Sequence, residues 1–76
     1  MIEFFVVYRR PTDYPDAAFV VRVHVIEGRG KRRRLYATDK VWIGDTLADV
    51  HRFIPPDKTR MPRHEDDEPQ IVEWWF

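Results

Sequence analysis

The stretch that most constrains the fold is residues 18–27, AFVVRVHVIE, in which apolar residues recur at every second position. This period of two is typical of a β-strand, because successive side chains of a strand point to opposite faces of its sheet. One face would carry Phe19, Val21, Val23 and Val25, and the other Val20, Arg22, His24 and Ile26. Residues 2–8, IEFFVVY, alternate in the same way but stay largely apolar on both faces. We therefore predict strands in a sheet whose faces both need covering.

Further elements follow along the chain. Gly28 and Gly30 permit the positive φ of a hairpin turn, so residues 31–37 are predicted to return as an antiparallel strand. A turn at 38–39 would lead to a short strand or strand extension at 40–43. Residues 44–56 predict one helix of about ten residues, too short to persist without packing on a sheet. Residues 57–69 predict a long polar loop, and residues 70–76, QIVEWWF, a last strand.

The helix has sequence features at both ends. Asp45 or Thr46 can cap its N-terminus, and Asp49 follows Thr46 at the spacing of a capping box. Pro55 and Pro56 end it. The side chains expected to pack on the sheet are Leu47, Val50, Phe53 and Ile54.

Together these elements predict a small α+β domain over residues 1–76. It would be a mainly antiparallel sheet of three to five strands, in the order β-β-β-α-β, with one short helix packed on one face. The 76 residues include no cysteine, so a hydrophobic core must stabilise the fold without disulfides. No apolar run approaches the roughly 20 residues of a membrane span, and the N-terminus lacks the pattern of a signal peptide. We expect a cytoplasmic protein with no membrane partner.

The residue types that are missing restrict the chemistry. The chain has neither Ser nor Cys, so a Ser or Cys nucleophile with a histidine base is impossible. The three histidines and the consecutive carboxylates of residues 65–68 do not have the spacing of metal ligands. We predict no catalytic residue, no metal and no cofactor. An enzyme that uses Glu, Asp and His in a pocket is the least favoured interpretation.

Charged residues are balanced in number but segregated in position. Thirteen basic and thirteen acidic residues give a net charge of zero. The basic run, residues 29–34, holds Arg29, Lys31, Arg32, Arg33 and Arg34, whereas residues 65–68 are all acidic. The basic run can be a solvated hairpin tip, can pair with the acidic run within the chain or across a dimer, or can grip nucleic acid while Tyr36 and Trp42 stack on bases. A net charge of zero weakens the last interpretation.

The excess of large apolar residues favours an interaction surface. One short helix covers one face of a sheet, yet the predicted strands carry large residues on both faces. Either the sheet curls around itself, or its helix-free face or terminal EWWF strand is buried against a partner, since Trp, Tyr and Arg are enriched at interfaces. The equal alternative places Trp74 and Trp75 at the edge of an ordinary monomer core.

Three segments carry a resemblance to other proteins: PTDYPDAAFVVR (11–22), DTLADVHRFIP (45–55) and DDEPQIVEWW (66–75). Together they resemble small uncharacterised proteins encoded in bacterial and phage genomes, which begin with a strand, contain a turn of this proline–aspartate type and end with a proline-led strand containing Trp. The resemblance covers nearly the whole chain. It implies a compact domain of unknown function with no catalytic residue.

We therefore predict a non-enzymatic interaction protein that binds another protein or itself through the sheet face and the charged loops. A phage-encoded inhibitor of a host factor would be one instance. The alternative is a nucleic-acid-binding protein that uses the basic hairpin 29–34. The candidate binding residues are Arg29, Lys31, Arg32, Arg33, Arg34, Tyr36, Trp42, Trp74 and Trp75.

Overall fold

Five strands and one short helix form the structure, a computed structural model that describes residues 2–76. The strands are β1 (Ile2–Arg9), β2 (Phe19–Glu27), β3 (Arg34–Gly44), β4 (Arg60–Pro62) and β5 (Ile71–Trp75). A 3₁₀ turn (Gly30–Arg32) precedes β3, and the helix α1 (Leu47–His51) follows it. All neighbouring strands pair antiparallel in one sheet, in the order β3-β2-β1-β5-β4. The predicted α+β fold, an antiparallel sheet with one short helix, is confirmed.

The two faces of the sheet differ in what covers them. The helix face carries α1, which contacts β3 and β2. Its buried core consists of Phe5, Val7, Val21, Val23, Val25 and Val50. Burying a side chain of this kind stabilises the fold by about 1.5–3 kcal/mol. Val6 and Val20 are fully buried as well, on the other face of the sheet. The opposite face, here called the free face, carries the even-numbered residues of β1 and β2 and has no helix on it.

The helix α1 is shorter than the predicted 44–56 element. Its start is as expected, because the Thr46 hydroxyl accepts from the Asp49 N–H and the Asp49 carboxylate accepts from the Thr46 N–H. After His51 the chain continues in tighter turns, with the Phe53 N–H donating to the Val50 carbonyl. The reason is Pro55, which disfavours the helical conformation of the residue before it. The regular helix therefore ends one turn earlier than predicted.

This early end changes the packing of the predicted helix face. Val50 is fully buried, and Leu47 and Ile54 pack against the core as expected. The prediction for Phe53 was wrong, because its side chain is 41% exposed. Its ring still stacks on Trp42, with 5.4 Å between the ring centroids. Phe53 thus covers the outer side of Trp42 and does not enter the core.

The segment that follows the hairpin also differs from its prediction. Gly28 and Gly30 have φ of 92° and 58°, the positive values that the hairpin requires. Gly30–Arg32 form the 3₁₀ turn, and the strand predicted from residue 31 begins at Arg34. The turn predicted at residues 38–39 is an irregularity within the continuous β3, where the Thr38 hydroxyl donates to the Val23 carbonyl at 2.7 Å. That bond occupies a backbone acceptor of β2 where the regular strand pairing is interrupted.

One strand was missed. Residues 60–62, predicted to be part of a loop, form the edge strand β4, in which Arg60 pairs with Trp75 and Met61 with Trp74. Pro62 and the charged residues beside it argued against a strand in the sequence. The structure places this segment at the edge of the sheet, where proline is tolerated. No helix in the part of the chain that the structure describes is long and apolar enough to cross a membrane.

Candidate interaction site

The free face carries a row of apolar side chains that crosses three strands at one end of the sheet. Ile2 of β1 pairs with Ile26 of β2, and Ile26 pairs with Leu35 of β3. Phe4, the next free-face residue of β1, meets Phe76 edge-on with 5.2 Å between the ring centroids. Ile2 and Leu35 are 56% and 58% exposed, so the row is open to solvent.

Most of the exposed large apolar side chains lie on this face. Eight such side chains among residues 2–76 are more than a third exposed, and five of them belong to the free face. Those five are Ile2, Leu35, Ile43, Met61 and Phe76. Exposed apolar residues scattered singly are normal, whereas their concentration on one face is typical of an interaction surface.

The basic run 29–34 lies beside the apolar row. Arg29 and Arg33 line a shallow pocket of about 390 Å³ together with Ile2 and Ile26. All five basic side chains are exposed, and none forms an ion pair with another residue of the 2–76 range. The hairpin thus presents unneutralised positive charge at the border of an apolar surface, which suits a partner that is both acidic and apolar.

The basic run and the acidic run 65–68 lie at opposite ends of the sheet. The hairpin adjoins Ile26, which pairs with Ile2 at the start of β1. The acidic loop leads into Ile71, which pairs with Tyr8 near the end of β1. No ion pair joins the two runs within the described chain. The pairing within one chain that the sequence left open is therefore not made.

The two aromatic residues expected to help the basic run are separated. Tyr36 pairs with Val25 on the helix face, and the Arg34 guanidinium lies 5.7 Å from its ring centre. Trp42 pairs with Val21 farther along the helix face, where it stacks on Phe53. The structure therefore brings Tyr36 to the basic run but places Trp42 in the packing under α1.

Trp74 and Trp75 lie on opposite faces of β5. The Trp74 indole N–H donates to the Asp67 carboxylate at 3.0 Å, and its ring meets His24 on the free face. The Trp75 indole N–H donates to Glu73 at 3.0 Å on the helix face. Only Trp74 is therefore part of the surface that a partner on the free face would meet.

A cleft of about 420 Å³ occupies the end of the free face away from the hairpin. The loops 10–18 and 63–70 form its walls, and it is lined by Tyr8, Pro11, Thr12, Asp13, Val20, Arg22, Ala37, Glu68 and Gln70. The Arg22 guanidinium donates to the Asp13 carboxylate at 2.8 Å and to the Thr38 carbonyl at 2.7 Å. Asp13 and Arg22 thus form an ion pair with each other. Glu68, the third charged side chain of the lining, forms no ion pair with the described residues.

His24 lies on the free face and contacts Tyr8, which lines this cleft. Its Nε2 lies 3.0 Å from the Tyr8 hydroxyl. Burial lowers the pKa of His24, and the positive charge of Arg22 lowers it further. Burial also raises the pKa of Tyr8, so both groups are uncharged near neutral pH. The hydrogen bond between these two uncharged groups links β1 to β2 on the free face.

Glu73 is a buried charged residue that sequence reasoning did not single out. It is 2% exposed and accepts from Arg60 Nε at 2.7 Å, from Trp75 Nε1 at 3.0 Å and from His51 Nε2. Burial alone raises the pKa of Glu73, but the bonds from Trp75, Arg60 and His51 outweigh it and hold the pKa below its usual value. Its alternation with Trp75 was the available clue that it faces inward. Both carboxylate oxygens already accept bonds, so the group acts as a structural link between β5, β4 and α1.

No protein-family model, curated protein or solved structure matches this chain. The resemblance to small bacterial and phage proteins therefore gains no support from these comparisons. No group of three or more histidine and carboxylate side chains within residues 2–76 is arranged to hold a metal ion.

Proposed function

We propose that this chain is a non-enzymatic interaction protein that binds protein through the free face of its sheet. The observation that carries the proposal is the concentration of exposed apolar side chains on that face, where five of the eight lie. The helix face is already closed by α1, whereas the free face has only loops over one end. Covering apolar surface releases about 25 cal/mol for each Å², so a partner over this face gains affinity from it.

The charges beside the apolar row define the chemistry of the partner. Arg29 and Arg33 border Ile2 and Ile26, so a partner that combines apolar side chains with carboxylates fits this end of the face. Arginine binds carboxylates through two parallel hydrogen bonds, which adds orientation to the contact. Two narrower statements stay predictions: that the protein is an inhibitor of the kind that phages encode, and that it is located in the cytoplasm.

Photo-crosslinking tests the proposal and identifies the occupant of the face. A photoreactive amino acid replaces Leu35 on the free face, and the matched control carries it at Ala48, an exposed residue of α1. After irradiation of cells that produce the protein, we expect position 35 to yield one dominant crosslinked polypeptide that position 48 does not. Equal and diffuse crosslinking at both positions, or crosslinks to nucleic acid alone, would contradict the proposal.

Nucleic-acid binding is the second candidate function, and the unpaired cations of the hairpin favour it. Its test is the fluorescence anisotropy of labelled single- and double-stranded oligonucleotides over a range of salt concentrations. The variant replaces Arg32, Arg33 and Arg34 with Gln, and the control replaces Arg52, which is exposed next to α1. Tight binding with a steep salt dependence that only the triple variant loses would assign the hairpin to phosphate contacts. If the free face binds protein instead, we expect the basic run to show no tight binding of oligonucleotides at physiological salt.

A further inference from the structure

The cleft of about 420 Å³ at the end of the free face away from the hairpin has a floor made by three neighbouring strands. Tyr8 of β1 and Val20 of β2 pair with each other and both line it, and Ala37 lines it from β3. Together with Pro11, Val20 and Ala37 give the lining an apolar part. The volume is in the range of about 300–1,000 Å³ that sites for small molecules have.

Two loops form the walls of this cleft, and backbone hydrogen bonds hold both of them. In the loop after β1, the Tyr14 N–H donates to the Pro11 carbonyl at 3.0 Å. In the loop before β5, the Ile71 N–H donates to the Glu68 carbonyl at 2.9 Å. Walls that are already ordered reduce the entropy that is lost when a ligand enters. The cleft is therefore preorganised for binding.

The charged side chains of the lining are Asp13, Arg22 and Glu68, two negative and one positive. Arg22 binds the Asp13 carboxylate and the Thr38 carbonyl, so its charge is already compensated. Glu68 forms no ion pair within the 2–76 range. An anionic ligand would thus find no free cation among the described residues of the lining, whereas a cationic ligand would find a free carboxylate.

Tyr8 reports the sign of the charge at the floor of the cleft. Burial raises the pKa of Tyr8, and the negative charge of Glu68 raises it further, by more than the positive charge of Arg22 lowers it. The charge of Asp13 also raises the pKa of Tyr8. The potential at the hydroxyl is therefore predominantly negative. Because the walls of a cleft concentrate such a potential, a positively charged ligand is favoured there.

We propose that this cleft, here called the acidic cleft, binds a small organic cation, an ammonium or guanidinium group on a short apolar stem. The charged group contacts the Glu68 carboxylate, and the stem lies over the apolar part of the floor at Val20 and Ala37. Thr12 and Gln70, which also line the cleft, have side-chain oxygens that can accept from an N–H group. The inference goes beyond the proposed function, because the loops that form the acidic cleft already cover this end of the free face.

Titration of the ¹⁵N-labelled chain with benzylammonium, followed by NMR at neutral pH, tests the proposal. Benzyl alcohol and benzoate are the matched neutral and anionic ligands. We expect benzylammonium to shift the backbone amide signals of Tyr8, Ala37 and Gln70, while the signal of Ala48 on α1 stays unchanged. Its dissociation constant should be about fivefold lower than that of benzyl alcohol, the effect of one unit charge about 4 Å from another in water. Absence of shifts in the acidic cleft, or equally tight binding of benzyl alcohol or benzoate there, would overturn the proposal.

Three variants assign the binding to the acidic cleft. Glu68→Gln keeps the size of the side chain and removes its charge, so it should weaken benzylammonium about fivefold and leave benzyl alcohol unchanged. Glu65→Gln, in the same acidic run but outside the lining, is the control and should keep the affinity. Ala37→Phe fills the cleft from its floor and should abolish the binding. Equal weakening by Glu65→Gln and Glu68→Gln, or unchanged binding to Ala37→Phe, would place the cation elsewhere and contradict the inference.

Discussion

Glu73 shows how one buried charge connects three elements of the fold. Its carboxylate lies on the helix face of β5 and accepts from Arg60 of β4 and from His51 of α1. The side chains of Arg60 and His51 are 53% and 37% exposed, so both donors keep part of their contact with water. The desolvation cost therefore falls mainly on Glu73, and its hydrogen bonds offset that cost.

Replacing Glu73 with Gln should lower the free energy of unfolding at neutral pH by about 1.5–3 kcal/mol, the range for hydrogen bonds to charged groups. The substitution keeps the shape of the side chain but removes the charge that Arg60 and His51 contact. Urea denaturation followed by tryptophan fluorescence measures the change. Glu65→Gln in the exposed loop is the control and should change stability by less than about 0.5 kcal/mol. Equal stability of all three proteins would show that the buried carboxylate contributes nothing.

The lowered pKa of Glu73 predicts a specific dependence of stability on pH. The unfolded chain, in which the pKa has its usual value near 4.5, binds a proton at higher pH than the folded chain. The free energy of unfolding therefore rises with pH through this range. The contribution is complete above pH 4.5 and is lost as the pH falls through the pKa of the folded state.

Denaturation of the unaltered chain and of Glu73→Gln at a series of pH values measures this contribution. The difference in stability between the two proteins should be largest near neutral pH and should shrink on acidification below pH 4.5. A difference that stays constant or grows in acid would mean that the pKa of Glu73 is not lowered by folding.

The sequence predicted which face each residue of β1 and β2 occupies, because period two determines it. It did not predict the partners of Glu73. His51 and Arg60 lie 22 and 13 positions away in sequence, and β4 was not recognised as a strand. Contacts of this kind depend on which strands become neighbours, and alternation within one strand carries no such information.

At the level of the elements, the two ends of α1 show why its start was predictable and its length was not. The capping box at Thr46 and Asp49 is a local pattern, and the structure contains it. The C-terminal end depends on how Pro55 acts on the residues before it, and the periodic spacing of Phe53 and Ile54 did not reveal that effect. The spacing therefore overestimated the length of the helix and wrongly predicted that Phe53 lies in the core.

Two alanine substitutions separate the core side of α1 from its outer side. Leu47→Ala should cost about 2–3 kcal/mol, since Leu47 packs against the buried cluster. Phe53→Ala should cost about 1 kcal/mol, because the partly exposed ring loses mainly its stacking on Trp42. Thermal or urea denaturation of both variants provides the comparison. A larger loss for Phe53→Ala than for Leu47→Ala would contradict the observed packing.

The strand β3 shows a further limit of sequence reasoning. Tyr36 and Trp42 are only six positions apart, which suggested a common aromatic platform beside the basic run. In a strand, six residues extend over about 20 Å, so Trp42 lies far from the hairpin. The basic run itself was evident from the sequence. The presence of Leu35 and Ile43 near the two ends of one face became evident only when the register of β3 against β2 was known.

At the level of the whole molecule, the two faces of the sheet account for the excess of large apolar residues. The helix face closes over Val50, and its core is complete within the chain. On the free face, the loops 10–18 and 63–70 cover one end and leave the row at Ile2, Ile26 and Leu35 open. The sequence predicted that one helix could not cover both faces. It could not predict that the loops would cover part of the second face, because loop positions follow from tertiary contacts such as Arg22 with Asp13.

Hydroxyl-radical footprinting read by mass spectrometry tests the central claim, that a protein covers the free face, most directly. Labelling in cells that produce the protein is compared with labelling of the purified chain at high dilution. We predict that Ile2, Leu35 and Ile43 lose reactivity severalfold in cells, whereas Tyr36 and Phe53, exposed on the helix side, keep theirs. Equal labelling of both groups under both conditions would show that the free face is an uncovered surface and would contradict the account.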